Sequence, residues 1–277
     1  MNTLYRRCVV IQLAAVLASA QSWADTTNGT EAVNVTESQH VGLADNLYLN
    51  AGTGLESPPG EDSTFYGLVG VNWGIPLTPP DGVALGLQLG GNFKVRDDDP
   101  EWNLTFGGFG RNFRIFQDQQ GMAAMLFDYR RTAFHNGVWD LRPIIGTTLT
   151  PQDALGAEGV ASLNSDDGQE AISEFSVFWT RDWTDVIGTE LGSGYQFSGV
   201  DEGLFRGRVA FGLTPHIDLA CGGDFNTDGD YAFGVLFSYG FGGTGRHPAL
   251  HNIGGSGRGL YTPLPDASFP LLEHRTR

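Results

Sequence analysis

A chain of 277 residues holds one large domain and is too short for two comfortable ones. Only 17% of it is charged, with a formal net charge of -16, and that acidity argues against DNA, RNA and anionic lipid surfaces as partners. Forty glycines without a Gly-X-Y period exclude collagen, and glycine alternating with 12% aromatics points to sheet with one crowded face and one spare face.

The N-terminus reads as an export signal. Arg6 and Arg7 form a positive start, residues 8–20 (CVVIQLAAVLASA) an apolar stretch, and Ser22-Trp23-Ala24 a small-x-small cleavage site. The apolar stretch is too short for a comfortable transmembrane helix. Cleavage after Ala24 removes Arg6, Arg7 and Cys8, taking the basic count from 16 to 14 and the net charge to -18. Cys221 is then the one cysteine, so no intrachain disulfide can form, and an exported domain of this size must rest on a large core or a closed sheet. Residues 25–44 are polar and without period, as expected of a flexible leader.

From Asn46 onward the period is two. Leu47, Leu49 and Ala51 alternate with Tyr48, Asn50 and Gly52, and a second run follows through Phe65, Val69, Val71, Trp73 and Ile75. The sharpest segment puts Val83, Leu85, Leu87, Leu89, Phe93 and Val95 on one face and small or polar residues on the other. Residues 101–115 begin with Trp102, Leu104 and Phe106 outward. Phe109, Phe113 and Ile115 then take over, which predicts a bulge at Gly107-Gly108. The pattern continues through residues 121–131, 138–149, more weakly 154–163, then 172–183, 187–197 and 205–213. It ends with a short strand around Cys221 and a clean one from Tyr231 to Phe241. About twelve strands thus lie between residues 46 and 241, each long enough to cross a bilayer at a tilt, in an up-and-down meander joined by short connections.

The connections fall into two kinds. Thr78-Pro79-Pro80-Asp81, Thr150-Pro151-Gln152-Asp153 and Thr214-Pro215-His216 recur every four strands and so share one end. Glu61-Asp62, Asp97-Asp98-Asp99, the acidic run at 166–170, Asp201-Glu202 and Asp228-Gly229-Asp230 occupy the other. In an outer-membrane barrel the short turns face the periplasm and the longer loops face outside. Residues 244–277 carry prolines, glycines and no strand pattern, and are expected to form a loosely ordered periplasmic extension. No loop is long enough to plug a lumen, which leaves the leader or the tail as the segments able to enter one.

The fold class that follows is all-β: a transmembrane up-and-down antiparallel β-barrel of about 12 strands. The domains are a signal peptide (1–24), a leader (25–44), the barrel (45–243) and a polar C-terminal tail (244–277). Phe65, Val71, Leu85, Leu87, Phe211, Val235 and Phe237 are expected to face lipid. Trp73, Trp102, Trp139, Trp183, Tyr231 and Tyr239 gather near strand ends, as interfacial girdles require. A soluble sandwich would carry charges on the second face, which here is largely Gly, Ala, Ser and Asn. Arg130, Arg142, Arg206 and Arg208 are expected to meet Asp128, Asp140, Glu158 and Glu190 across the lumen.

Residues 82–91 (GVALGLQLGG) and 212–222 (GLTPHIDLACG), with the signal segment and the Gly/aromatic strands, resemble an uncharacterised family of predicted outer-membrane β-barrel proteins from planctomycete-type bacteria. The resemblance spans about residues 46–243 and implies the cell outer membrane as location. The chain departs from the usual ending of such barrels, because 36 residues follow the terminal aromatic Phe241.

No residue is assigned as catalytic, cofactor-binding or metal-binding. Residues 224–230 (DFNTDGD) match the start of a calcium loop, but Val235 stands where a bidentate Glu is needed, and an acidic hairpin turn is the plainer reading. The six histidines, His40, His135, His216, His247, His251 and His274, lack ligand spacing. Asp128, His135 and Ser173 assemble into a triad on paper only. Residues 242–246 (GGTGR) lack the strand and helix of a phosphate loop. The leading expectation is therefore a small-solute channel. The rival is a structural or cell-surface binding barrel with a filled lumen, and an outer-membrane hydrolase is the weakest reading. Expected partners are outer-membrane lipid, the assembly machinery for outer-membrane barrels and small anionic solutes drawn by the four arginines. Nucleic acid is not among them, and no cofactor is expected.

Overall fold

The computed structural model describes residues 42–57, 62–79, 82–96, 99–116, 119–131, 137–162, 173–197, 202–242, 248–253 and 261–265. The expected signal peptide and most of the leader lie outside these residues. A 3-10 turn, Leu43–Asn46, leads into twelve strands. They are β1 (Leu47–Ser57), β2 (Thr64–Pro76), β3 (Ala84–Arg96), β4 (Asp99–Phe116), β5 (Gln119–Arg131), β6 (Val138–Thr148), β7 (Asp153–Ser162), β8 (Ser173–Thr184), β9 (Ile187–Gln196), β10 (Glu202–Gly212), β11 (Ile217–Asn226) and β12 (Tyr231–Gly240). Each strand pairs antiparallel with its neighbour in sequence, and β1 pairs with β12 to close the barrel. Closure leaves no edge strand, so no row of backbone N–H and C=O groups is left unpaired in the wall.

The alternation read in the sequence is the alternation of the wall. Along β3, Leu85, Leu87 and Leu89 are exposed on the outer face, while Ala84, Gly86, Gln88 and Asn92 are buried on the inner one. Phe65, Val71 and Phe237 also lie exposed outside, and Phe211 and Val235 share their parity. The outward aromatics form two rows. Trp102, Tyr129 and Trp139 sit near the loop end of β4, β5 and β6, with ring centroids 5.0 and 4.7 Å apart in succession. Trp73, Trp183 and Tyr239 sit near the opposite end of their strands.

Two of the three Thr-Pro connections share one construction. Thr150 Oγ1 accepts from the backbone N–H of Gln152 (3.2 Å) and Asp153 (2.9 Å). Thr214 Oγ1 accepts from His216 (3.2 Å) and Ile217 (3.0 Å) in the same way. The hydroxyl replaces a backbone acceptor inside the turn, which is why Thr recurs there. The turns at 150–152 and 214–216 lie at the end of the barrel that carries the start of β1 and the end of β12, and the described acidic turn at 227–230 lies at the other end.

One expectation about the wall is corrected. No slip occurs at Gly107-Gly108, where β4 keeps continuous register with β3. The register with β5 shifts twice instead, between Arg114 and Phe116 and, first, between Arg111 and Phe113, where the backbone of Asn112 turns left-handed at φ 63°. Asparagine tolerates that region, and its Nδ2 donates to Gly82 O at 3.1 Å. Phe109 therefore faces inward. Its ring lies over Gly86, in the space a side chain there would need, and 4.8 Å from the Arg111 guanidinium.

Candidate functional site in the barrel lumen

The inner face carries a belt of charge that runs between strands β4 and β11. Asp128 (β5) accepts from Thr105 Oγ1 (β4) and from Arg142 Nε (β6) at 2.8 Å. Arg142 reaches on to Glu158 (β7) at 3.2 Å, and Glu158 is also 3.3 Å from Arg206 (β10). Arg206 in turn donates to Asp224 (β11) at 3.1 Å. Beside this chain, Arg208 lies 3.6 Å from Glu190 (β9). Toward the loop end Arg130 donates to Asp140 at 2.6 Å. A second cluster joins Lys94 and Arg96 (β3) to Glu56 (β1), at 2.5 and 3.1 Å, and to Glu101 (β4). Such buried pairs add little net stability over an apolar filling, but each becomes costly when one partner is removed.

Strand count sets how much room remains. Eight strands are filled by their own side chains, and sixteen leave a water channel. Here twelve strands with many inward glycines leave a gap, and the C-terminal tail lies in it. Residues 248–253 and 261–265 are buried throughout. Their main chain is held by inward side chains. Arg208 Nη1 donates to Ala249 O (3.2 Å), Arg111 Nη1 to Thr262 O (2.7 Å) and Arg142 Nη1 to Pro265 O (3.0 Å). Gln88 pairs both ways with Leu264, at 3.1 and 2.8 Å. Ile253, Tyr261 and Leu264 complete an apolar cluster with Ala84, Phe109, Met122, Leu126 and Ile144, while Ala249 and Leu250 complete another with Leu68, Ala210 and Leu236.

Among the described tail residues, His251 is held from both its main chain and its ring. Its backbone N–H and its Nδ1 both meet Glu190 Oε2, at 2.8 and 2.9 Å. Because a carboxylate only accepts, Nδ1 is the protonated ring nitrogen. Nε2 lies 3.7 Å from Glu158 Oε2, and the ring stacks on Phe178 with centroids 4.1 Å apart. Two inward glycines are matched to this path. A side chain on Gly74 would run into the Tyr261 carbonyl, and one on Gly146 into Ile253.

These contacts correct the expectation of a loosely ordered periplasmic extension: the described tail residues are a packed part of the lumen. They also change the reading of the arginines. Arg130, Arg142, Arg206 and Arg208 do point inward toward acids, as expected, so these four do not form an unpaired positive lining that would attract anions. Inward glycines are largely covered by neighbours, with Asn72 over Gly90 and Ser176 over Gly194.

The calcium-like motif is divided by the fold. Asp224 is buried on Arg206, Asp228 is exposed in the turn, and the Asp230 backbone N–H donates to Asn226 Oδ1 at 2.9 Å, so the acids do not converge. Of the paper triad, Asp128 is engaged by Arg142, and His135 lies outside the described residues. His40, His247 and His274 lie outside them as well, as do Asp97, Asp98 and residues 243–246. Sequence reasoning missed Asp224, the Glu56–Lys94–Arg96–Glu101 cluster and His251. Asp224 and Glu101 obey the inward parity of their strands, which was the available signal.

No protein-family model and no curated protein matches the sequence. Solved structures do match the fold. The chain is similar to a KdgM porin, with a TM-score of 0.53 at 5% identity, over 70% of this chain and 99% of that one. It is similar to the same porin in complex with disordered oligogalacturonate, with a TM-score of 0.50 at 6% identity, over 70% and 99%. It is also similar to the COG4313 outer membrane channel from Pseudomonas putida F1, with a TM-score of 0.50 at 11% identity, over 75% and 99%. At such identities the likeness shows a shared fold, a closed antiparallel β-barrel.

Proposed function

We propose that this protein is an outer-membrane barrel that serves as a small-solute channel held shut by its own C-terminal tail. One observation carries the reading. The described tail residues, 248–253 and 261–265, lie in the lumen as irregular segments held by reversible contacts, many of them between barrel side chains and their main chain, and none of them adds a strand to the wall. A plug of this kind leaves without breaking the barrel. The apolar outer face, the two aromatic rows and the likeness to porin and channel folds support a place in the outer membrane. The resemblance of residues 82–91 and 212–222 to barrels of planctomycete-type bacteria fits the same reading. No enzymatic role is proposed.

The rival reading is a barrel permanently filled, and the belt from Thr105 to Asp224 favours it, because paired charges alone narrow the lumen. Planar-bilayer recording separates the two. The full-length protein is expected to be closed most of the time, and a chain ending at residue 243 is expected to give stable conductance steps. Silence from the shortened chain, when its migration on a gel remains heat-modifiable, would leave the filled structural barrel as the better reading.

A further inference from the structure

We infer that the lumen, once the tail has left, passes small cations in preference to anions, with Glu158 and Glu190 as the pair that selects them. The inference rests on the channel reading above and reverses the solute class expected from the arginines.

Three observations carry it. First, the belt is unbalanced. It holds four carboxylates, Asp128, Glu158, Glu190 and Asp224, against three guanidiniums, Arg142, Arg206 and Arg208. Second, the tail supplies what is missing. The two N–H groups of His251 converge on one oxygen of Glu190 while the far edge of its ring faces Glu158, so the imidazole stands where a fourth cation would. Glu190 is fully buried, and its other oxygen, Oε1, makes no hydrogen bond among the described residues, with Arg208 at 3.6 Å as its neighbour. Third, the imbalance extends along the lumen. Ten carboxylates are buried against five basic side chains among the described residues, and adding the half-buried Arg130 and Arg206 still leaves acids in excess.

Withdrawal of the tail removes both donors from Glu190 and leaves Glu158 shared between Arg142 and Arg206. A carboxylate in a narrow, low-dielectric passage attracts a mobile counter-ion more strongly than the same group in open water. The group that satisfies it is a small cation, either an alkali ion that takes carboxylate oxygens or an ammonium that repeats the two N–H contacts of His251.

The test uses the full-length chain and its His251→Ala variant in a planar bilayer under a KCl gradient. The variant is expected to open more often than the parent, with potassium favoured over chloride on the order of tenfold. Adding Glu158→Gln and Glu190→Gln to the variant is expected to bring that ratio close to one. The reversal potential of His251→Ala decides the sign whether or not the amide variants fold. Chloride-favouring or unselective openings overturn the inference and leave the channel reading standing. A potassium preference unchanged in well-folded amide variants overturns the assignment to this pair. Absence of openings from parent and variant, both heat-modifiable, overturns the channel reading and the inference together.

Discussion

Gly74→Ala is the smallest change that should loosen the plug. Gly74 faces inward on β2, and a β-carbon there would run into the carbonyl of Tyr261. The obstacle is backbone, so no rotamer relieves it: either β2 or the tail must shift. β2 is paired along its length with β1 and β3. Tail residues 261–265 are held by Arg111, Arg142, Gln88 and the contact of Tyr261 with Thr78, so the tail is the part that yields. Overpacking by one methyl in a filled interior costs roughly 1–3 kcal/mol. If that cost falls on the docked state, the ratio of docked to undocked tail drops roughly 5- to 150-fold. The assay is the rate at which an added protease trims the tail of detergent-solubilised protein, read beside open probability in a bilayer. Gly82→Ala is the control, because nothing lies within 4 Å of a β-carbon at that position. Trimming and open probability should both rise in Gly74→Ala and stay at the parent value in Gly82→Ala. Equal protection of the tail in parent and Gly74→Ala, with the barrel intact, would refute the reasoning.

Three further outcomes are expected. Leu87→Arg puts a charge on the outer face of β3, where Leu87 is 41% exposed; at a membrane midplane this costs about 2–4 kcal/mol, so heat-modifiable migration should be lost. Normal assembly of that variant in the aqueous fraction would instead mark the outer face as water-exposed. Arg142→Ala removes the partner of both Asp128 and Glu158 and should destabilise the barrel by about 3–5 kcal/mol, seen as a lowered denaturation midpoint in detergent. The acidic turn at 227–230 lies at the end away from the Thr-Pro turns, so a reagent applied to intact cells should label it first. Labelling only after the outer membrane is opened would reverse the orientation.

The wall was legible in the sequence because each of its faces meets one environment. Leu85, Leu87 and Leu89 against Gly86, Gln88 and Gly90 leave no second register, and slipping by one residue would turn every leucine inward. The same logic misplaced the bulge. Phe109 is apolar, and residue type cannot separate a phenylalanine facing lipid from one packed inside over a glycine, so the phase change was read five residues before Asn112. The pairing of Arg142 and Arg206 with acids was legible from parity. Its geometry was not, since it depends on residues such as Asp224 that composition assigns to a loop. The tail was the least legible part. Its hold on the barrel runs largely through carbonyls at Ala249, Thr262 and Pro265, which any residue presents, so no spacing records it.

The position of the plug also orders assembly. The tail leaves β12 at Gly240, the residue paired with Tyr48 where the barrel closes. Its anchors stand on opposite walls, with Gln88, Arg111 and Arg142 on β3, β4 and β6, and Glu190 and Arg208 on β9 and β10. Those walls face each other only after β1 and β12 have joined. Docking of the tail therefore follows closure of the ring. On the channel reading proposed above, the time the tail takes to find Glu190 sets how long the closed ring stays unplugged.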